Sequence, residues 1–395
     1  MDTPRTVFLH VGAPKTGTSQ LQDLLFLNRA TLAAKGVLYP ADRFDTQFLA
    51  ALDLLGKRWG GLESEAVGSW GRLVEQASTF CGTVIVSHEV FAGASSEQAA
   101  RALSELAGEV HVVYSVRDLA RQIPAEWQEG VKHRRQLTYA EFCADLVQPK
   151  PQTPMARWFW SVQDWPDVLR RWGATLPPDR VHVVTVPGPD APRELLIERF
   201  LTLFGIDPAW LPMASERSNA SLGGAEATVI RRINERLPVE RLEGPVYRHY
   251  VREKLVHSRL APASSSPRIT LPPSLDGWAA ERSAEWTAQL RRADYDVVGD
   301  LAEVEPPPVS QPWQDPDAPA AERELDVAYD VIETLLLEIQ RLEQALARAT
   351  SAPDRSPGTG AGPRQRVKQR LIVLSGRYGM LAWARGRYRA LRRRS

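Results

Sequence analysis

Short apolar runs separated by longer amphipathic stretches set the rhythm of most of this chain. Thr6–Val11, Thr83–Ser87, Val110–Val116 and Val181–Val186 are rich in valine and isoleucine and are bounded by turn formers. Continuous apolar character, without polar alternation, marks strands covered on both faces. Between these runs, Glu97–Leu106, Asp164–Trp172 and Arg193–Phe204 repeat their apolar positions at helical spacing. Strand and helix in alternation predict an α/β domain over residues 1–304, with a mostly parallel sheet flanked by helices on both faces. Ligands of such sheets lie at the carboxyl ends of the strands.

The pattern changes after residue 304. Residues 305–322 are rich in proline and predict an extended linker that does not pack. Over 323–349, Leu325, Ala328, Ile332, Leu335, Ile339, Leu342, Leu346 and Ala349 alternate spacings of three and four, a heptad seam on one helix. Such a seam fits either a helix laid on the body or a short coiled coil between copies of the chain. Residues 350–363, rich in Ser, Pro and Gly, predict a flexible linker. Residues 364–395 form a basic tail in which Leu371, Leu374, Tyr378, Leu381, Trp383, Tyr388 and Leu391 interleave with arginines. Gly376, Gly379 and Gly386 weaken any helix there.

Charge sharpens this division. The 395 residues carry a net charge of +1, yet the tail holds eleven Arg or Lys and no acid. The remainder has 38 basic against 48 acidic residues, a net of −10. The basic, aromatic tail reads either as a solvated or disordered extension or as an attachment to an anionic membrane surface, whereas no motif supports nucleic-acid binding. The hydrophobic fraction of 43% is ordinary for a globular chain, and no apolar run approaches the length of a membrane span. The first residues lead into a strand without the pattern of a secretory signal. Cys81 and Cys143 lie far apart and are expected as reduced, buried side chains. The expected location is therefore the cytoplasm, with the tail a candidate for peripheral attachment at the inner face of the membrane.

The candidate chemistry concentrates behind the first strand. There Gly12-Ala-Pro-Lys-Thr-Gly-Thr-Ser19 leads into a helical pattern at Leu21, Leu24 and Leu25. Strand, glycine-containing loop and helix N-terminus converge backbone N–H groups and the positive helix end on one anion site. In the nucleoside-triphosphate loop the lysine directly follows the second glycine. Here Thr18 holds that place, and Lys15 precedes Gly17 by two residues. An ordinary strand-to-helix turn and an ATP or GTP loop with a displaced lysine are the competing readings.

Pro14-Lys-Thr-Gly-Thr-Ser19 resembles the 5′-phosphosulfate loop of sulfotransferases, which use 3′-phosphoadenosine 5′-phosphosulfate (PAPS) as donor. The resemblance covers roughly residues 5–300 and implies the P-loop-like fold of that family. It makes Pro14, Lys15, Thr16, Gly17, Thr18 and Ser19 the expected binding residues for the donor's 5′ side. It assigns Arg117, at the end of the Val110–Val116 run, to the 3′-phosphate. The family's serine eight residues on is Ala125 here, a departure that leaves Arg121 or a backbone group to substitute. In Val84-Ile-Val-Ser-His-Glu89 the family takes its catalytic base from a histidine or a glutamate, so His88 and Glu89 are both candidates, with Glu89 favoured. Glu216-Arg-Ser-Asn-Ala-Ser-Leu222 echoes a late loop that closes over the nucleotide, with Arg217 or Asn219 in that role.

The implied reaction is transfer of a sulfuryl group from PAPS to a hydroxyl or amine of an unidentified acceptor, with Lys15 stabilising the leaving phosphate and no metal. Trp158, Trp160 and Trp165 offer stacking faces for a glycan or lipid-linked glycan, or belong to the core. A non-catalytic nucleotide-binding scaffold and an ATP-dependent kinase are the alternative functions.

Overall fold

The computed structural model describes residues 5–59, 61–192, 194–214, 221–305 and 312–351. Six strands build one sheet: β1 (Thr6–Gly12), β2 (Val37–Leu38), β3 (Thr83–Ser87), β4 (Glu109–Val116), β5 (Val181–Thr185) and β6 (Asp296–Val298). Their order is β2-β3-β1-β4-β5-β6, and every neighbouring pair is parallel. The four apolar runs of the sequence are the four central strands. The two short strands β2 and β6 occupy the edges, where two or three residues suffice for pairing and leave no periodic signal.

Helices connect and cover the sheet: α1 (Thr18–Leu27), α2 (Thr46–Leu55), α3 (Ser96–Glu105), α4 (Leu119–Lys132), α5 (Pro154–Gln163), α6 (Trp165–Gly173), α7 (Leu195–Phe204), α8 (Gly224–Arg236), the wide π-type helix α9 (Arg248–Leu260), α10 (Asp276–Ala293) and α11 (Ala321–Ser351). Successive side chains of a strand point to opposite faces, and β1 shows what each face receives. Val7, Leu9 and Val11 join the larger core with residues of α2, α4, α5 and α6, whereas Phe8 joins Leu21 and Leu25 of α1 and Ile197, Phe200 and Phe204 of α7. Burial on both sides explains why these strands read as unbroken apolar runs.

The second core carries a polar insert. His10 is fully buried, with Nδ1 at 2.8 Å from the Ser87 hydroxyl and Nε2 at 3.3 Å from that of Ser115. It thereby ties β3, β1 and β4 side to side beneath the candidate loop. Burial depresses its pKa to about 4, so the ring is neutral.

Two expectations change. The described end of the proline-rich linker does pack: Asp317 accepts hydrogen bonds from the Tyr139 and Ala140 amides at 2.9 and 2.8 Å, and Thr228 donates to the Pro316 carbonyl. A carboxylate that satisfies two helix-start amides, together with the buried Pro316, gives a proline-rich segment a fixed berth. Cys81 is exposed, because it lies in the turn before β3, whereas Cys143 is buried as expected and its thiol pKa is pushed up to about 12 by burial. Residues 306–311, most of 350–363 and all of 364–395 lie outside the described residues. Among the described residues no helix is long and apolar enough to cross a membrane, and no group of side chains has the makings of a metal site.

Candidate functional site

The loop Gly12–Ser19 leaves the carboxyl end of β1 between β3 and β4, where the central strands converge. Gly12 has φ of +144°, and a Cβ there would lie 3.1 Å from the Ala92 side chain and 3.2 Å from the Glu89 carbonyl. Gly17 has φ of +83° and would place a Cβ 2.6 Å from Leu196. Both positions therefore exclude a side chain. Lys15 itself adopts φ of 63°, a left-handed conformation that costs a residue with a side chain about 1–2 kcal/mol. Backbone held this way presents successive N–H groups to one concavity. Among the described residues, none accepts a hydrogen bond from the amides of Lys15, Thr16, Gly17, Thr18 or Ser19.

Neighbouring elements grip the loop from behind. The Pro14 carbonyl accepts from Gln122 Nε2 of α4 at 2.6 Å and from Gln163 Nε2 of α5 at 3.1 Å. Arg117 Nη1 donates to the Lys15 carbonyl at 3.0 Å. The Thr16 hydroxyl donates to the Ala13 carbonyl at 2.6 Å, so this side chain is used inside the loop. Thr18 is buried, and Ser19 is half-buried at the start of α1. Gln122 and Gln163 escaped the sequence reading because a lone glutamine in a helix carries no signal until its carbonyl partner is known.

Arg117 stands apart from its neighbours. Asp118 caps α4 by accepting from the Arg121 amide at 2.8 Å and also pairs with the Arg121 guanidinium. Arg121 further donates to the Pro187 carbonyl at 2.8 Å. Both partners that could neutralise or replace Arg117 are thus committed elsewhere. Its Nε is buried without a hydrogen-bond partner, and burial, reinforced by Arg121, lowers its pKa to about 10. A buried guanidinium with spare donors favours an anionic ligand. Ala125 lies on α4, half-buried.

Across the loop, β3 ends at Ser87, and His88 caps the short helix Glu89–Gly93 by accepting the Val90 amide on Nδ1 at 3.2 Å. The ring stacks on Phe48 at 5.0 Å. With Nδ1 used as acceptor, neutral His88 carries its proton on Nε2 and has no free lone pair to act as a base. Burial lowers its pKa further. The Glu89 carboxylate accepts from Gln22 Nε2 of α1 at 2.9 Å. Burial raises its pKa, but His88, Gln22 and Lys15 outweigh that, and the group ends ionised below the usual range.

A second charged layer comes from α4, α5 and α9. Lys15 Nζ lies 2.5 Å from Glu129 Oε2. His133 Nε2, Arg252 and Lys132 approach the same carboxylate at 3.0, 3.5 and 3.9 Å. Burial pushes the Glu129 pKa up, yet Lys15, His133 and Lys132 together hold it well below the ordinary range. One turn earlier Glu126 accepts from Gln163 at 2.9 Å, and burial raises its pKa to about 7. These side chains sit at intervals of three and four on one face of α4, a pattern visible in sequence but indistinguishable there from a solvated helix surface. Beside them Trp59 meets the His133 ring at 5.4 Å and Trp158 at 6.3 Å, with Lys57 Nζ 3.5 Å above Trp158. Trp158 thus belongs to the site's border, whereas Trp165 is core and Trp160, half-buried, is tied to the Leu146 carbonyl. Glu216, Arg217 and Asn219 lie outside the described residues.

The structure therefore brings Pro14–Ser19, Arg117, His88 and Glu89 to one end of the sheet and adds Gln22, Gln122, Glu126, Glu129, Lys132, His133, Gln163 and Arg252. No family model and no curated protein matches this chain. Among solved structures, a sulfotransferase from Alicyclobacillus acidocaldarius is similar at 16% identity and a TM-score of 0.38, over 54% of this chain and 85% of that one. Likeness at that level identifies no chemistry; what the residues themselves establish is a parallel α/β sheet whose first loop lies at the carboxyl ends of its central strands, with the buried Arg117 beside it.

Proposed function

We propose that this chain is a sulfotransferase that moves a sulfuryl group from PAPS to a hydroxyl or amine of its acceptor. The observation that carries this reading is the loop: unpaired amides from Lys15 to Ser19, with buried Arg117 spending only one hydrogen bond on it, surround a place for phosphate. Thr18 where a triphosphate loop has its lysine argues against ATP. In the reaction the acceptor oxygen or nitrogen attacks sulfur in line, and the bond from sulfur to the bridging phosphate oxygen breaks. The acceptor proton passes to Glu89, and adenosine 3′,5′-bisphosphate leaves with the electron pair. Lys15 moves from Glu129 to that developing charge, where a preorganised donor counts most. Glu89 is the base in preference to His88 because it is ionised and aimed by Gln22.

Calorimetry with adenosine 3′,5′-bisphosphate and with ATP, each with and without Mg²⁺, tests the proposal. Metal-independent binding of the bisphosphate is expected. Lys15→Ala or Arg117→Ala should weaken it about tenfold to a hundredfold, the scale of a lost charge-assisted hydrogen bond. Preference for ATP with Mg²⁺ overturns the reading in favour of a kinase.

We further propose that the heptad helix pairs with a second copy and that residues 364–395 hold the chain at an anionic membrane surface. The first is supported by apolar seam residues that the body leaves uncovered, the second by the charge segregation of the sequence.

A further inference from the structure

Glu129 holds an unusual number of cations. Its carboxylate is approached by Lys15 from the loop, Lys132 and His133 from the end of α4, and Arg252 from α9. Three full positive charges and one imidazole thus share one carboxylate. Two further acids stand by: Glu126, only partly ionised near neutral pH, and the exposed Glu253, whose carboxylate lies 3.9 Å from Arg252 Nε. The cost of this excess is visible in Lys132, whose pKa burial, together with Lys15 and Arg252, lowers to about 8. Arg252 also keeps a buried Nε without a hydrogen bond. His257, on the same wide helix, lies within electrostatic reach of both Lys132 and Arg252.

We propose that Lys132, His133 and Arg252 form an anion-binding subsite for the acceptor, and that the Glu129 carboxylate fills it in this structure. The acceptor is then a molecule carrying a carboxylate, phosphate or sulfate group near the nucleophile that is modified. Naming it the acceptor rests on the loop being the donor site; the anion site itself does not. The Arg252 and Lys132 pairs with Glu129, at 3.5 and 3.9 Å, are the loosest of the four and are the ones an incoming anion would take over. Trp59, set edge-on to His133 and to Trp158, supplies an aromatic side chain beside the cluster for a ring attached to that anion.

Inorganic sulfate is the probe, titrated by calorimetry into the full chain. Wild type is expected to bind sulfate at two sites, one at the loop and one at the cluster. Saturation with adenosine 3′,5′-bisphosphate, or Lys15→Ala, should abolish the loop site and leave the other. Arg252→Gln and Lys132→Gln should weaken the surviving site about tenfold, with Arg252→Lys retaining part of the affinity. Glu129→Gln removes the internal competitor and should tighten it about threefold or more, a gain that misfolding cannot mimic. A single sulfate site lost in Lys15→Ala, or no tightening in Glu129→Gln, overturns the subsite. If the bisphosphate fails to bind, the donor reading falls while the Lys15→Ala arm still decides the anion site. Hyaluronan tetrasaccharide, which carries carboxylates, is then compared with neutral chitotetraose on the bisphosphate-loaded protein. Preference for the anionic chain, lost in Arg252→Gln, supports the acceptor assignment, and equal affinity for both overturns it.

Discussion

Glu126 and Glu129 lie one helical turn apart on α4 and titrate in opposite directions. The difference comes from partners: Gln163 offers Glu126 one neutral donor, whereas Lys15, His133, Arg252 and Lys132 surround Glu129. A carboxyl whose pKa rises from 4.5 in the unfolded chain to about 7 in the fold binds more protons when folded across that interval. Its contribution to stability therefore declines as pH rises from about 4.5 to 7 and is constant above. Glu126→Gln should remove this slope, so denaturant midpoints of wild type and variant should diverge with pH, the variant gaining most at pH 8. Parallel pH profiles would show that Glu126 is not held protonated. Residue by residue, the loop was legible because glycine, lysine and hydroxyls crowd one turn. Gln122, Gln163 and the α4 charges were not, since their meaning depends on which carbonyl or cation the fold brings to them.

At the level of elements, the heptad helix is the clearest case of a pattern with two outcomes. α11 reaches the body through Val327 and Val331, which are 6% and 7% exposed. The seam residues Leu325, Ile332, Ile339 and Leu346 remain 51%, 52%, 52% and 66% exposed. The helix therefore docks on one face and leaves its heptad stripe open on another, so the two readings of the sequence are compatible. In the two central heptads the seam sets isoleucine (Ile332, Ile339) against leucine (Leu335, Leu342), a combination that favours a parallel two-stranded pairing. Light scattering after size exclusion is expected to report a dimer that Ile332→Lys with Ile339→Lys converts to monomer without lowering the melting temperature. A monomeric wild type at tens of micromolar would exclude the pairing. The strands were more fully legible, because burial on both faces imposes continuous apolar character, and only the two edge strands lacked enough residues to register.

For the whole molecule, charge segregation is the dominant feature. An acidic body and a tail with eleven basic residues cannot both favour the same surface. Each cation near an anionic membrane is worth about 1 kcal/mol within a Debye length. Flotation with vesicles containing phosphatidylserine should recover the full chain at low salt and release it at high salt. Removal of residues 364–395 should abolish recovery; unchanged recovery of the truncated chain would transfer the interaction to the body.

The sequence by itself determined the central strands, the glycine-containing loop behind the first of them, the position of its lysine and the long helix that follows the body. These are local properties: periodicity, backbone freedom at glycine and residue order along a turn. Only the tertiary structure decided that Arg117 escapes Asp118, that the His88 lone pair is occupied while Glu89 is ionised, and that Glu129 stands among three cations and an imidazole. Those outcomes depend on which residues far apart in the chain share a dry, low-dielectric space, where one neighbouring charge or hydrogen bond shifts a proton equilibrium that no local pattern records.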